Sequence, residues 1–240
     1  MAKIAREKFK TLNDVFDIFT EGTIHKLITQ GYLRGLESPI SIGKEANIFS
    51  ALTEDRGKVI VKIYRLETCD FNRMFDYIRN DPRYTHLKNN KRKTIFAWTQ
   101  REYRNLHLAR QAGVRVPKPI TFKNNVLVME FIGKESAAPR LKDGIPKKPE
   151  AFLKGIADNM SKLYRAGLVH SDLSAFNILN NDESPVLIDF SQCTSIEDSR
   201  AEEYFNRDIH NICEFFRKIG INANEDEVKS GILASAAAKV

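Results

Sequence analysis

The sequence predicts an α+β protein with a β-rich N-terminal part and a helical C-terminal part. Three observations carry this. Apolar runs broken by turn residues fill 40–64, one helical stretch follows at 94–112, and beyond Pro149 the apolar residues recur at three- and four-residue spacings. At roughly 150 residues per domain, 240 residues suit one large domain or two small lobes. The boundaries read as a helical extension over 1–36, an N-terminal lobe over 37–132 with a polar, basic insertion at 68–93, a C-terminal lobe over 133–222 and a tail over 223–240.

The elements follow in order. Leu12, Val15, Phe16 and Phe19, then Ile24, Leu27 and Ile28, predict two short helices closed by Gly31. Half of a winged-helix DNA binder fits that spacing too, but no Arg-rich recognition face accompanies it, and helices capping a domain are commoner. Residues 40–64 predict three antiparallel strands with a turn at Thr53–Gly57. Residues 68–93 read as a mobile connection, and 94–112 as a helix closed by Gly113. Strands at 120–123 and 126–132 join through Asn124-Asn125. Pro149 opens a helix carrying Phe152, Leu153, Ile156, Met160, Leu163 and Tyr164. Val186, Leu187 and Ile188 form a short strand, and a last helix runs from Tyr204 to Ile219, ending at Gly220.

Composition excludes several classes. A hydrophobic content of 42% with 29% charged residues argues against wholesale disorder, and Gly 12 with Pro 8 excludes collagen-like material. The first ten residues lack the apolar block of a signal peptide, and no apolar run approaches a membrane span. Cys69, Cys193 and Cys213 fit neither a disulfide framework nor a paired zinc motif, which points to a reducing, cytoplasmic setting. The net charge of +7 is uneven: Arg83, Lys88, Lys91, Arg92 and Lys93 form one basic stretch, and Lys134, Arg140, Lys142, Lys147, Lys148 and Lys154 line another. Such stretches attract a nucleotide or RNA, or are simply solvated loops. No paired recognition aromatics are visible, so any nucleic-acid contact would be electrostatic, without sequence-specific DNA reading.

Five motifs carry chemistry. The first is Ser41-Ile42-Gly43-Lys44-Glu45-Ala46-Asn47-Ile48, a strand–turn–strand whose glycine lets backbone N–H groups approach an anion; a glycine in a hairpin is also an ordinary turn. The second is Lys62, which shares a strand face with Ile60 and Tyr64 and points either to solvent or into a cleft. The third is Glu102, four residues from both Trp98 and Leu106 on an apolar helix stripe. A buried carboxylate there needs a partner, for which Lys62 is the obvious cation; an edge position would relieve the need. The fourth is His170-Ser171-Asp172-Leu173-Ser174-Ala175-Phe176-Asn177, which sets a proton acceptor beside a neutral oxygen ligand. The fifth is Asp189 after a buried strand. Two Asp and an Asn suit Mg²⁺ completed by phosphate and water.

In identity, order and context the five resemble the protein-kinase signature set. Lys62, held by Glu102, would neutralise the α- and β-phosphates of ATP. Asn177 and Asp189 would hold the metal, and Asp172 would accept the proton of the attacking group. Met129-Glu130-Phe131-Ile132 reads as the hinge, with the Glu130 carbonyl and Ile132 N–H on the adenine edge, Ile48 and Ile60 above it and Leu179 below. Ser191 replaces the glycine of Asp-Phe-Gly, and the 51 residues after Asp189 leave no room for an activation segment or a large peptide-binding subdomain. The expected architecture is a bilobal protein-kinase-like fold with a truncated helical C-terminal lobe.

From Val15 to Ile219 the residues resemble the RIO family of atypical kinases, most closely its Rio-one subgroup. The marks are the loop at 41–47, Val-Lys-Ile-Tyr at 61–64, Arg-Glu-Tyr-Arg-Asn-Leu at 101–106, Val-Pro-Lys-Pro at 116–119, Met-Glu-Phe-Ile-Gly at 129–133, residues 170–177 and Ile-Asp-Phe-Ser-Gln at 188–192. The family has Thr where Ile42 stands, and kinases have a small residue where Ile60 stands. The resemblance implies ATP and Mg²⁺ or Mn²⁺ binding, serine autophosphorylation, and action on a precursor of the small ribosomal subunit. It also implies a flexible loop ahead of the glutamate helix. Some members are viewed as ATPase switches passing through a phospho-aspartate, which would fall on Asp189.

Three further readings compete with this one. An aminoglycoside-kinase-type phosphotransferase would need a large acidic substrate lobe, which the sequence lacks. The small kinase of tRNA threonylcarbamoylation is equally truncated, but the insertion at 68–93 and Lys-Glu-Ala at 44–46 argue against it. A nucleotide-gated RNA- or protein-binding switch with slow turnover is the non-signalling alternative.

Overall fold

Alternation of β-branched and apolar residues over 46–64 builds a sheet with two unlike faces. The computed structural model describes residues 16–54, 57–78, 87 and 90–238. Strands β1 (Gly35–Ile42), β2 (Ala46–Thr53), β3 (Gly57–Tyr64), β4 (Pro119–Lys123) and β5 (Val126–Glu130) form one sheet in the order β1-β2-β3-β5-β4. The β1–β2, β2–β3 and β3–β5 pairs are antiparallel. Phe49, Val61 and Val128 stand opposite one another, as do Ile48, Lys62 and Leu127 one residue along.

Phe49, Ala51, Val59, Val61, Ile63, Val126 and Val128 make one face apolar, and it is covered by Ile24, Leu27 and Leu33. Ile24 and Leu27 lie on helix α1 (Ile18–Thr29), whose N-cap Asp17 accepts from Thr20 N at 3.0 Å and Thr20 Oγ1 at 2.8 Å. Phe19, Ile24, Leu27 and Ile28 all lie on this one helix, which starts after the cap at Asp17; Leu12 and Val15 lie outside the described residues. Within the expected extension, α1 closes the sheet's core.

The opposite face ends in a second cluster, where Tyr64 packs with Cys69, Met74, Ile78, Leu87, Ile95, Ala97 and Trp98. Met74 and Ile78 belong to helix α2 (Phe71–Ile78), within the stretch expected to be a mobile connection. Its apolar residues stand at i, i+3, i+4 and i+7, a helical stripe among polar neighbours. Ile95, Ala97 and Trp98 belong to helix α3 (Lys91–Gln111).

Beyond the sheet, helix α4 (Pro149–Arg165) buries Phe152, Ile156, Met160 and Leu163. Strand β6 (Leu168–Val169) pairs with β9 (Thr194–Ser195), and β7 (Ile178–Asn181) with β8 (Ser184–Leu187). Helix α5 (Ala201–Lys218) buries Tyr204, Phe205, Ile209, Ile212 and Phe216. Residues read as a tail form helix α6 (Glu225–Ala237), because Asn224 caps the amides of Asp226 and Glu227 and Ile232 and Ala236 are buried. All three cysteines are free and buried. Among the described residues, no helix is long and apolar enough to cross a membrane.

The chain divides into two compact units, Met1–Gln100 with Ile120–Glu130, and Arg101–Pro119 with Phe131–Val240. The first is β-rich and the second helical. The division runs through α3, so residues 101–119 group with the helical unit instead of the expected N-terminal lobe.

If α2 is a docked element, Met74→Ala and Ile78→Ala should each lower unfolding free energy by about 2–5 kcal/mol. Urea denaturation checks this; changes below about 0.5 kcal/mol in both would mean that 71–78 is only a tether.

Candidate active site

In the β-rich unit, strand parity sorts the expected nucleotide residues. Ala46, Ile48, Ile60, Lys62 and Met129 share one sheet face, as the register Ile48↔Lys62 and Ile60↔Met129 requires. Lys62 is only 5% exposed, its ammonium 5.0 Å from the Tyr64 ring centroid, so the solvent-facing alternative is excluded. Asn47 stands on the other face, opposite Ile63, and lines a cavity of about 240 Å³ with Phe16, Asp17, Thr20 and Arg65. The structure therefore separates Asn47 from the Lys62 face, because a one-residue step along a strand reverses the side chain.

Ser41 pairs with Ile48 at the end of β1. The loop that follows is pinned through its carbonyls. Thr68 Oγ1 donates to Lys44 O at 2.6 Å, and Arg65 N and Cys69 Sγ donate to Glu45 O at 2.9 and 3.1 Å. Gly43 N–H donates to Ala46 O at 3.0 Å, and a Cβ at Gly43 would meet that oxygen at 2.8 Å. The glycine thus serves the tight turn, and its N–H closes the hairpin rather than standing ready for an anion. Met129 and Ile132 are buried, and Glu130 ends β5 opposite Val59.

Along α3 the apolar stripe is buried throughout, and Glu102 within it is 1% exposed, which rules out the edge position. The same helix supplies two residues whose role the sequence did not reveal. Arg101 Nη2 donates to Cys193 O at 2.9 Å, and Asn105 Nδ2 donates to Phe190 O at 2.9 Å and to Cys193 O at 3.1 Å. These contacts hold the loop that carries Asp189.

The helical unit brings Asp172, Asn177 and Asp189 into one frame. Asn177 precedes β7 and Asp189 follows β8, so pairing of Ile178 with Leu187 sets their backbones side by side, and Ile188 N donates to Asn177 O at 3.0 Å. The residues between them, 178–188, carry the hairpin. Asn177 Nδ2 donates to Asp172 O at 2.8 Å and to Asp172 Oδ2 at 3.2 Å. His170 Nε2 lies 3.0 Å from Ile188 O and stacks edge-on with Phe190. Leu179 is half-buried in β7 and bridges to Arg140. Ser171 (φ 69°) and Asp189 (φ 61°) both hold the left-handed conformation, which non-glycine residues adopt only where surroundings enforce it.

At Ser171 the enforcing group is Asp208 on α5. Its Oδ2 accepts from Ser171 N and its Oδ1 from Leu173 N, both at 2.8 Å, so the carboxylate straddles Asp172. Arg207 Nη2 donates to Ser171 O at 2.5 Å and Asn211 Nδ2 to Leu173 O at 3.1 Å. Three residues of one helix thus fix the backbone on both sides of Asp172.

The donor set suits a hard divalent ion. With Nδ2 of Asn177 directed at Asp172, its Oδ1 is the amide atom left to a cation, and Asp189 adds a carboxylate. Among the described residues no group of three His, Cys, Asp or Glu is assembled, so a divalent ion held here would need further oxygens from phosphate and water.

A family model for the RIO domain matches residues 47–229. The chain belongs to the RIO domain family. It is 41% identical over 223 residues to the RIO-type serine/threonine-protein kinase Rio1 of Haloferax volcanii, covering 92% of this chain and 77% of that one. Similarity to the Methanocaldococcus jannaschii protein of the same name is also 41%, over 222 residues, covering 91% and 75%. A crystal structure of the Rio2 kinase–ADP/Mg²⁺–phosphoaspartate complex from Chaetomium thermophilum matches with a TM-score of 0.67 at 23% identity, over 87% of this chain. The chain spans 65% of that structure's length. The α+β kinase-like architecture expected from sequence is therefore the fold of this RIO domain.

Asp208 also carries the clearest electrostatic signature of the RIO domain. Burial pushes its carboxyl up to about 7, the charge of Asp172 acts in the same direction, and the two amides and Arg207 oppose the shift. Between about pH 4 and 7 the folded chain keeps a proton that the unfolded chain, at 3.8, has released. Asp208's contribution to stability is therefore full below that window and falls across it. Relative to Asp208→Asn, the wild-type chain should lose up to about 1.4 kcal/mol of stability per pH unit there. Urea unfolding at pH 4, 5.5 and 7.5 measures this, and a pH-independent difference would contradict it.

Proposed function

We propose that this RIO-family chain is an ATP-dependent atypical serine/threonine kinase, the activity for which its archaeal Rio1 relatives are named. The observation that carries the reading is the frame around Asp172, in which a proton acceptor, an amide oxygen and a second carboxylate are held by one hairpin and one buried anchor.

In this reading Asn177 and Asp189 hold Mg²⁺, which supplies charge neutralisation at the phosphate oxygens. Lys62, backed by Glu102, neutralises the α- and β-phosphates. The Glu130 carbonyl and Ile132 N–H take the adenine edge, with Ile48, Ile60 and Leu179 as its apolar walls. Asp172 accepts the proton of the acceptor hydroxyl as its oxygen bonds to the γ-phosphorus and ADP leaves. The low dielectric around buried Lys62 strengthens its attraction for phosphate, which is why a buried lysine suits the task.

A second reading is favoured by the phosphoaspartate in the Chaetomium thermophilum Rio2 structure. An oxygen of Asp189 attacks the γ-phosphorus, ADP leaves, and water later releases inorganic phosphate. Phosphorylation would then time release from a partner rather than signal. For that partner we propose a precursor of the small ribosomal subunit, in a cytoplasmic setting, contacted through basic surface. Part of that surface is already neutralised, since Lys134 pairs with Asp182 and Lys142 with Asp143. Lys91 and Arg92 lie over the Phe71 and Phe19 rings, while Arg83 and Lys88 fall outside the described residues. Failure to recover precursor ribosomal RNA with the chain at low salt would remove this assignment.

The decisive assay uses γ-labelled ATP with wild type, Lys62→Ala, Asp172→Ala and Asp189→Asn. Lys62→Ala and Asp189→Asn are each expected to cost at least about 10²-fold in turnover, since both remove charge stabilisation of the transferring group. Label on protein serine supports the kinase, and a hydroxylamine-labile adduct on the enzyme supports the switch. Losses below tenfold in both variants would overturn the site.

A further inference from the structure

The residue after Phe190 bonds to the metal-holding carboxylate itself. Ser191 Oγ donates to Asp189 Oδ1 at 2.7 Å, and Ser191 is 6% exposed, so water competes little for the bond. Neither partner can easily swing away. Phe190 is fully buried and its carbonyl is held by Asn105, while the Cys193 carbonyl is held by both Arg101 and Asn105. Cys193 N–H closes the turn on Phe190 O at 3.3 Å. The backbone is thus anchored on both sides of Ser191, through the Phe190 and Cys193 carbonyls, beside a residue whose backbone is held at φ 61°.

We propose that Ser191 is a positioning residue that sets metal selectivity: by committing Oδ1 of Asp189 to a hydroxyl, it presents the carboxylate to the divalent ion through Oδ2 alone. The inference rests on the assignment of Asp189 to the metal. Mg²⁺ demands a near-octahedral shell at short distances and suits single-oxygen carboxylate ligation. Ca²⁺ takes a larger, looser shell in which both oxygens of one carboxylate can bind. A hydroxyl occupying Oδ1 therefore handicaps the chelating mode and with it the larger ion. Glycine, the residue kinases place here, would leave Oδ1 without this donor.

The test measures metal binding rather than turnover. Calorimetric titration of Mg²⁺ and of Ca²⁺ into the ADP-loaded full chain gives the ratio of the two affinities for wild type, Ser191→Ala, Ser191→Cys, Ser191→Thr and Asp189→Ala. Losing the hydroxyl should shift the Mg²⁺/Ca²⁺ ratio toward Ca²⁺ by about 3- to 10-fold, the worth of one hydrogen bond. Ser191→Cys keeps the volume with a weak donor and should follow Ser191→Ala, whereas Ser191→Thr should restore the wild-type ratio. A merely structural serine would alter the ligand-free melting temperature and leave the ratio alone. If Asp189→Ala abolishes protein-dependent metal binding while the ratio is unchanged in Ser191→Ala and Ser191→Cys, the Ser191 proposal falls and the metal assignment stands. If Asp189→Ala binds metal like wild type, the metal assignment itself falls, and this proposal with it.

Discussion

A carboxylate buried under a helix decides where the catalytic loop can be. Asp208 offers two oxygens to two amides, those of Ser171 and Leu173, and leaves Asp172 no choice but to project between them. Burying a carboxylate is costly unless its bonds are made, and here both are made at 2.8 Å with Arg207 beside it. The same bonds hold Ser171 in a left-handed conformation that a serine would otherwise avoid. The strain is local, and the anchor that enforces it sits on a helix with Phe205, Ile209, Ile212 and Phe216 buried around it.

The rest of the frame is built outward from that point. His170 reaches Ile188, Ile188 reaches Asn177, and Asn177 reaches Asp172, so each member of the constellation is tied to another by a backbone atom. Arg101 and Asn105 do the same for the loop of Asp189 through the Phe190 and Cys193 carbonyls. Few of these bonds join two reacting side chains. They set main-chain positions, and so fix where the side chains proposed to meet phosphate and metal begin. Preorganisation of this kind lets charge stabilisation act without reorganising the site at the moment of reaction.

Much of this was legible because spacing and parity are local properties. Two-residue alternation put Ile60 and Lys62 on one face, and the i, i+4 spacing of Trp98, Glu102 and Leu106 predicted a buried carboxylate. Asp208 carried the same signal, falling three residues after Phe205 and four before Ile212, yet its helix was read only for its apolar residues. Helix α2 is hidden for the opposite reason: four apolar positions among polar ones, ahead of a stretch rich in Asn and Lys, look like a connection. Asn47 lies beyond the loop in a strand, where each step turns the side chain over, and so takes the face opposite Lys62. Arg101 and Asn105 could not have been read at all, because their partners are backbone carbonyls 85 to 92 residues away.

The account stands or falls on whether Asp208 fixes the catalytic loop. Amide hydrogen exchange at Ser171 and Leu173, followed by NMR in the wild-type chain and in Asp208→Ala, measures this directly. Both amides should exchange at least about 10²-fold more slowly than exposed loop amides in wild type and lose that protection in the variant. Exchange at exposed-loop rates in wild type, or unchanged protection in a folded Asp208→Ala, would show that the loop is held by something else.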